Sequence, residues 1–117
     1  MIQIPAFNAT SADFEQTITL GTQELSIRLA WNSRSEFWYM DLDDQRGHVV
    51  RSRKLVPLLP IFRSHKALMP IIGDFVLMPE SDDAPEYPTF DGFGTTHTLN
   101  WLDATELAQW EAALGLV

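Results

Sequence analysis

Along DFEQTITL the apolar residues Phe14, Ile18 and Leu20 fall on even positions, and along QELSIRLAW the apolar residues Leu25, Ile27, Leu29 and Trp31 fall on odd ones. A period of two marks strands with one buried face. Gly21-Thr22 between them suits a two-residue hairpin turn, with glycine supplying the unusual backbone angle. That turn would set Leu20 opposite Gln23, Ile18 opposite Leu25 and Phe14 opposite Leu29, leaving Gln16 as the one polar residue on the apolar face.

The next stretch, AWNSRSEFWYMDL, carries Trp38, Met40 and Leu42 on even positions. If Trp31 faces Trp38 across a short loop at Asn32 and Ser33, then Leu29 faces Met40 and Ile27 faces Leu42. Arg28 then stands between Glu15 and Asp41 on the opposite, solvated face, as cross-strand charge pairing favours. Both registers agree, and a slip of one residue would turn every apolar side chain outward. The pattern predicts a three-stranded meander with Leu29, Trp31, Trp38, Met40 and Leu42 in its core.

Further along, DDQRG reads as a turn with Gly47 left-handed, and HVVRSRKLV as a fourth strand of poor alternation whose Arg and Lys suit a sheet edge. Pro57 and Pro60 argue against a central strand in PLLPIF. GDFVLM and THTLNWL read as strands, the second with Leu99 and Trp101 on one face. The long segment PESDDAPEYPTFDGFG between them reads as a loop of the kind that meets partners. Asp103 as N-cap, Glu106 three residues later and Gly115 as stop predict a helix over about 104–114, with Leu107, Trp110 and Leu114 on its apolar face. The fold expected is a single all-β domain over 1–117: a small antiparallel barrel or sandwich, core about 14–102, with one short C-terminal α-helix.

Composition narrows the function. The 117 residues contain no cysteine, so disulfides, thiolate metal sites and thiol nucleophiles are excluded. No apolar run is long enough to cross a bilayer, and the first residues lack the basic and apolar regions of a signal peptide, so no membrane anchor and synthesis in a cytoplasm are expected. A net charge of −8 argues against a nucleic-acid partner. The charge is unevenly spread. Six of the eight basic residues, Arg46, Arg51, Arg53, Lys54, Arg63 and Lys66, lie within 46–66, and no Lys or Arg follows them. The acidic loop with Asp82, Asp83 and Glu86 comes later. These basic and acidic groups could balance each other within one subunit or pair across an interface.

His48, His65 and His97 stand at no metal-ligand spacing, the acidic loop does not follow the EF-hand order, and no phosphate-binding or nucleophile motif is present. No cofactor, no metal and no catalytic residue are therefore expected. The aromatic cluster has two readings. Trp31 and Trp38 would pack inside, whereas Phe37 and Tyr39 would lie on the other face, open to a partner. The competing reading is a small β-barrel whose aromatics stack on single-stranded nucleic acid or a glycan.

Taken together, Trp31-Asn32, Trp38-Tyr39, Asp41-Leu42, Gly47, Leu55-Val56, Gly73 and Gly94-Thr95 resemble the small baseplate plug family of contractile-tailed bacteriophages, over roughly positions 14–102. The basic run between Val50 and Leu55, Phe93 before Gly94, and the terminal helix depart from that pattern. The resemblance implies a non-enzymatic virion part, made in the host cytoplasm. It implies packing against other baseplate, hub or tail-tube proteins, as a symmetric homo-oligomer that closes or lines the axial channel before ejection. Phe37, Tyr39, the basic segment and the acidic loop are the expected contacts.

Overall fold

The computed structural model describes residues 2–4, 13–20, 23–63, 73–90, 92–93 and 96–115. Within them run β1 (Ile2–Gln3), β2 (Asp13–Leu20), β3 (Gln23–Asn32), β4 (Phe37–Asp43), β5 (Val49–Lys54), β6 (Asp74–Pro79), β7 (His97–Leu102) and helix α1 (Ala104–Ala113). The Gly21-Thr22 turn, His65, Lys66, Gly94 and Thr95 lie outside the described residues. The strands make two antiparallel sheets, ordered β2-β3-β4-β5 and β1-β7-β6. They are not closed into a barrel; the arrangement is sandwich-like, with one apolar cluster drawing side chains from both sheets.

The meander takes the register its alternation dictates. Ile18 pairs with Leu25 and Phe14 with Leu29. Ile27 pairs with Leu42, Leu29 with Met40 and Trp31 with Trp38. Leu25, Ile27, Leu29, Trp38, Met40 and Leu42 are buried, each such side chain contributing about 1.5–3 kcal/mol by leaving water. Trp31 sits at the rim of this core instead of inside it: half-buried, it meets Trp38 edge-on at 5.6 Å. The loop forms as its residue types suggest. Asn32 Oδ1 accepts from the N–H groups of Arg34 and Ser35, at 3.0 and 3.1 Å.

A β-bulge explains the poor alternation of the fourth strand. Met40 pairs with Arg53 but Leu42 with Val50, so Arg51 and Ser52 together oppose Asp41. Ser52 adopts a left-handed φ of 58°, and its N–H donates to Asp41 Oδ1 at 2.7 Å. The extra residue shifts the parity of the strand, so Val50 and Leu55 both reach the core. As its charges suggest, β5 is an edge strand.

The second sheet is covered on both faces. Phe75, Leu77, Leu99 and Trp101 join the shared core, while Val76 and Leu102 pack with Leu107 of α1. All six residues of β7 are therefore buried, more than the Leu99 and Trp101 stripe implied. Asn100 is satisfied there by donating to the Thr98 carbonyl and hydroxyl, at 3.2 and 3.1 Å. Asp103 and Glu106 close a reciprocal capping box at the start of α1, and Gly115 takes φ 74° just past its end. Of the predicted helix face, Leu107 is buried and Trp110 half-buried, but Leu114 is exposed, because the helix stops at Ala113 and Leu114 is its C-cap.

The proline-containing segment after β5 is not a strand, yet it caps the edge of β6. Leu58 N–H donates to the Leu77 carbonyl at 2.8 Å and Ile61 N–H to that of Phe75 at 3.0 Å. Leu58 holds a left-handed φ of 72°, unusual for so bulky a residue, while the Trp110 indole donates to its carbonyl at 2.8 Å.

Candidate assembly surface

The outer face of the four-stranded sheet is a charged lattice. Arg28 stands opposite Glu15 and Asp41 as alternation predicts, but its ion pairs go to Asp13, diagonally across the strand pair, and to Asp41 at 3.6 Å. Glu15 instead accepts from the Ser26 hydroxyl at 3.1 Å. The hydrogen bond from Arg28 lowers the pKa of Asp13, and the same bond raises that of Arg28. Asp41 is the common acceptor, with Arg51 at 3.8 Å and the Ser52 N–H at the bulge.

The turn after β4 is built around one buried carboxylate. Asp44 accepts from the Arg46 and His48 N–H groups at 2.8 and 3.0 Å, and its second oxygen lies 2.7 Å from His48 Nδ1. Burial pushes its carboxyl up, but these bonds outweigh burial and leave its pKa below the ordinary value. Gly47 takes φ 98°, the left-handed position its turn predicts.

The predicted contact residues fall into two groups. Arg46 and Arg51 are exposed, as are Asp82, Asp83 and Glu86. Arg63 is exposed too and Lys66 lies outside the described residues, whereas Phe37, Tyr39, Arg53 and Lys54 are half-buried. Arg53 reaches the Ile61 carbonyl at 3.4 Å, and Arg63 lies 3.9 Å from Glu111. Lys54 Nζ sits 3.6 Å from the ring centre of Phe37 and 4.8 Å from that of Tyr87. Phe37 and Tyr87 are themselves in edge contact at 4.9 Å. Phe37 thus supports the long loop within its own chain, and Tyr39 is half-buried with its hydroxyl 3.3 Å from that of Ser35. Among the described residues no ion pair joins the basic segment to Asp82, Asp83 or Glu86; the link is cationic–aromatic.

The loop after β6 is fastened to the core. Trp38 stacks on Phe90 at 6.0 Å, touches Phe93 at 5.3 Å, and donates its indole N–H to the Thr89 carbonyl at 3.0 Å. With Trp38 only 1% exposed, its ring is committed to packing and is no stacking platform for a base or sugar. The sequence reading missed Phe90 and Phe93 as core residues, since nothing local in a Pro- and Asp-rich loop signals which aromatics return to the sheet.

Between this loop and the segment 56–58 lies a pocket of about 400 Å³. Val56, Pro57 and Leu58 form one wall, Pro79 and Pro85 another, and Asp82, Glu86, Tyr87 and His97 complete it. His97 is 0% exposed, and burial lowers its pKa, with the Pro85 backbone acting weakly in the opposite sense. Its Nδ1 lies 2.9 Å from the Thr96 hydroxyl, while Nε2 has no hydrogen-bond partner among the described residues.

Among the described residues no helix is long and apolar enough to cross a membrane. No curated protein matches the chain. Residues 1–105, which include both sheets, match the family described as cyanophage baseplate Pam3 plug gp18, so the chain belongs to this family of structural phage-baseplate proteins.

Proposed function

We propose that the protein is a non-enzymatic part of a contractile phage tail, placed at the centre of the baseplate. There it packs against hub and tube-end proteins as a symmetric homo-oligomer and closes or lines the axial channel before ejection. The observation that carries this reading is the family match across 1–105. The charge distribution supports it. Arg46 and Arg51, and the acidic residues Asp82, Asp83 and Glu86, are exposed, and no ion pair joins the two sets among the described residues, which suits them to pairing with neighbours in a ring. These five are the foremost contact residues. Phe37, Tyr39, Arg53, Lys54 and Arg63 make contacts within the chain, and Lys66 belongs with the same basic segment.

The test is electron cryomicroscopy of particles produced with and without this chain. Wild-type particles are expected to show symmetric density for it on the tail axis, at the tube end, and particles lacking it an empty position there. Density on the outer baseplate, or none in the virion, would overturn the central position. Loss of the oligomer in high salt would support charge-directed assembly.

A further inference from the structure

The sheet edges are not all protected alike. β5 is bulged, and Leu58 and Ile61 cap β6 with backbone hydrogen bonds. β2, at the far end of the four-stranded sheet, has neither device. Its eight residues, DFEQTITL, pair with β3 in one unbroken register and contain no Lys, Arg or Pro to discourage a further strand.

The register fixes which residues turn their backbone to that edge. Leu20 and Gln23 pair with only two residues between them, so they exchange both hydrogen bonds with each other. Alternation then points the N–H and C=O of Gln16, Ile18 and Leu20 toward β3, and those of Glu15, Thr17 and Thr19 outward. The other side of the sheet obeys the same parity: Trp38, opposite Trp31, gives its carbonyl to the Leu55 N–H just past β5. Glu15, Thr17 and Thr19 are exposed, and among the described residues their outward backbone groups meet no partner.

The side chains limit what can fill the edge. A second copy can add its own β2 antiparallel about a two-fold axis. Centring that axis on Glu15 sets two carboxylates face to face, and centring it on Gln16 leaves them diagonal neighbours. Centring it on Thr17 avoids both. Thr17 then faces Thr17 of the partner copy, a favourable cross-strand pair, and Glu15 faces Thr19 of the partner copy.

We propose that two copies of this chain join edge to edge through β2, about a two-fold axis at Thr17. The Thr17 N–H of each copy donates to the Thr17 carbonyl of the other, and Glu15 and Thr19 exchange hydrogen bonds on either side. Two four-stranded sheets become one, ended at both sides by a bulged β5, so a third copy finds no like edge. The pairing belongs to the isolated protein and goes beyond the axial assembly proposed above.

The full chain would be sedimented over a range of concentrations, with amide exchange followed by NMR in dilute and concentrated samples. A monomer–dimer equilibrium is expected. The Glu15, Thr17 and Thr19 amides should be protected in the concentrated sample and lose protection on dilution, whereas those of Gln16, Ile18 and Leu20 should not change. Thr17→Pro removes an outward donor and no bond to β3. It should weaken the dimer about tenfold or more, because symmetry deletes two hydrogen bonds at once. Thr17→Lys, at the same exposed position, keeps the backbone intact but sets like charges opposite each other, and should also favour the monomer. Thr17→Cys, in a chain otherwise without cysteine, should crosslink two copies under mild oxidation, and Thr19→Cys should not. Each copy carries a net charge of −8, so added salt should strengthen this dimer, whereas it would weaken a ring held by opposite charges. A monomer at every concentration, an oligomer indifferent to Thr17→Lys, or outward amides that exchange equally fast at both concentrations would overturn the pairing. None of these results would touch the axial position tested by microscopy, and a misplaced virion density would leave the dimer intact.

Discussion

The two sheets treat their outer faces in opposite ways. The four-stranded sheet leaves Arg28, Asp41 and Arg51 in water as a lattice of weak, shared ion pairs. The three-stranded sheet covers its outer face, setting Val76 and Leu102 against Leu107 of the helix. A solvated charged face adds little to stability but leaves the surface adjustable. A covered face adds apolar burial, at the expense of making the sheet depend on one helix of ten residues. Substitutions on the first face should thus be read in assembly, and those on the second in folding.

The largest effect tests what the sheets share. Trp38→Ala removes the ring packed against Phe90 and Phe93 and the tie to Thr89, and should lose about 3–5 kcal/mol in urea unfolding. Both sheets should unfold in one transition; two separated transitions would break the idea of a shared core. Leu107→Ala empties the contact under the helix and should lose about 2 kcal/mol. Hydrogen exchange should speed up in α1 and on β7, with the meander unchanged.

Asp44→Asn comes next, with a loss of about 1 kcal/mol at neutral pH. Because the folded carboxyl has a lowered pKa, its stabilisation is complete above the unfolded value, near 4, and fades as pH falls through the folded value. The gap between wild type and variant should close on acidification. Removing the cap by Asp103→Ala should also lose about 1 kcal/mol, with helical circular dichroism falling before the β signal. Smallest of all, Arg28→Ala should leave the unfolding midpoint unchanged within error. A clear drop would show the outer lattice to be structural and would erase the contrast between the faces.

The same contrast decides how much could be read from the chain. Where one face meets water, alternation carries the register, so the Trp31–Trp38, Leu29–Met40 and Ile27–Leu42 pairs followed from the sequence. Where both faces are covered, burial no longer follows the alternation: HTLNWL is buried throughout, Thr98 and Asn100 included. The bulge at Ser52 hid Val50 and Leu55 from a strict period of two. The exposure of the proposed contact residues was half legible. Arg46, Arg51 and the acidic loop residues are exposed as charge suggests, but Phe37 and Lys54 turn to Tyr87 through contacts distant in the chain. His97 is wholly buried beside Thr96, and no spacing announces it.

The bulge at Ser52 also bears on polymerisation. An edge strand is a template on which a further strand can hydrogen-bond, and a flat one invites endless ribbons. Here the kinked edge directs the Ser52 N–H back to Asp41, away from any incoming backbone, and flanks it with Arg51 and Arg53. Copies cannot readily zip onto this side by extending the sheet. At this edge, contacts between proteins are left to side-chain surfaces, and strand-by-strand growth is opposed at the backbone.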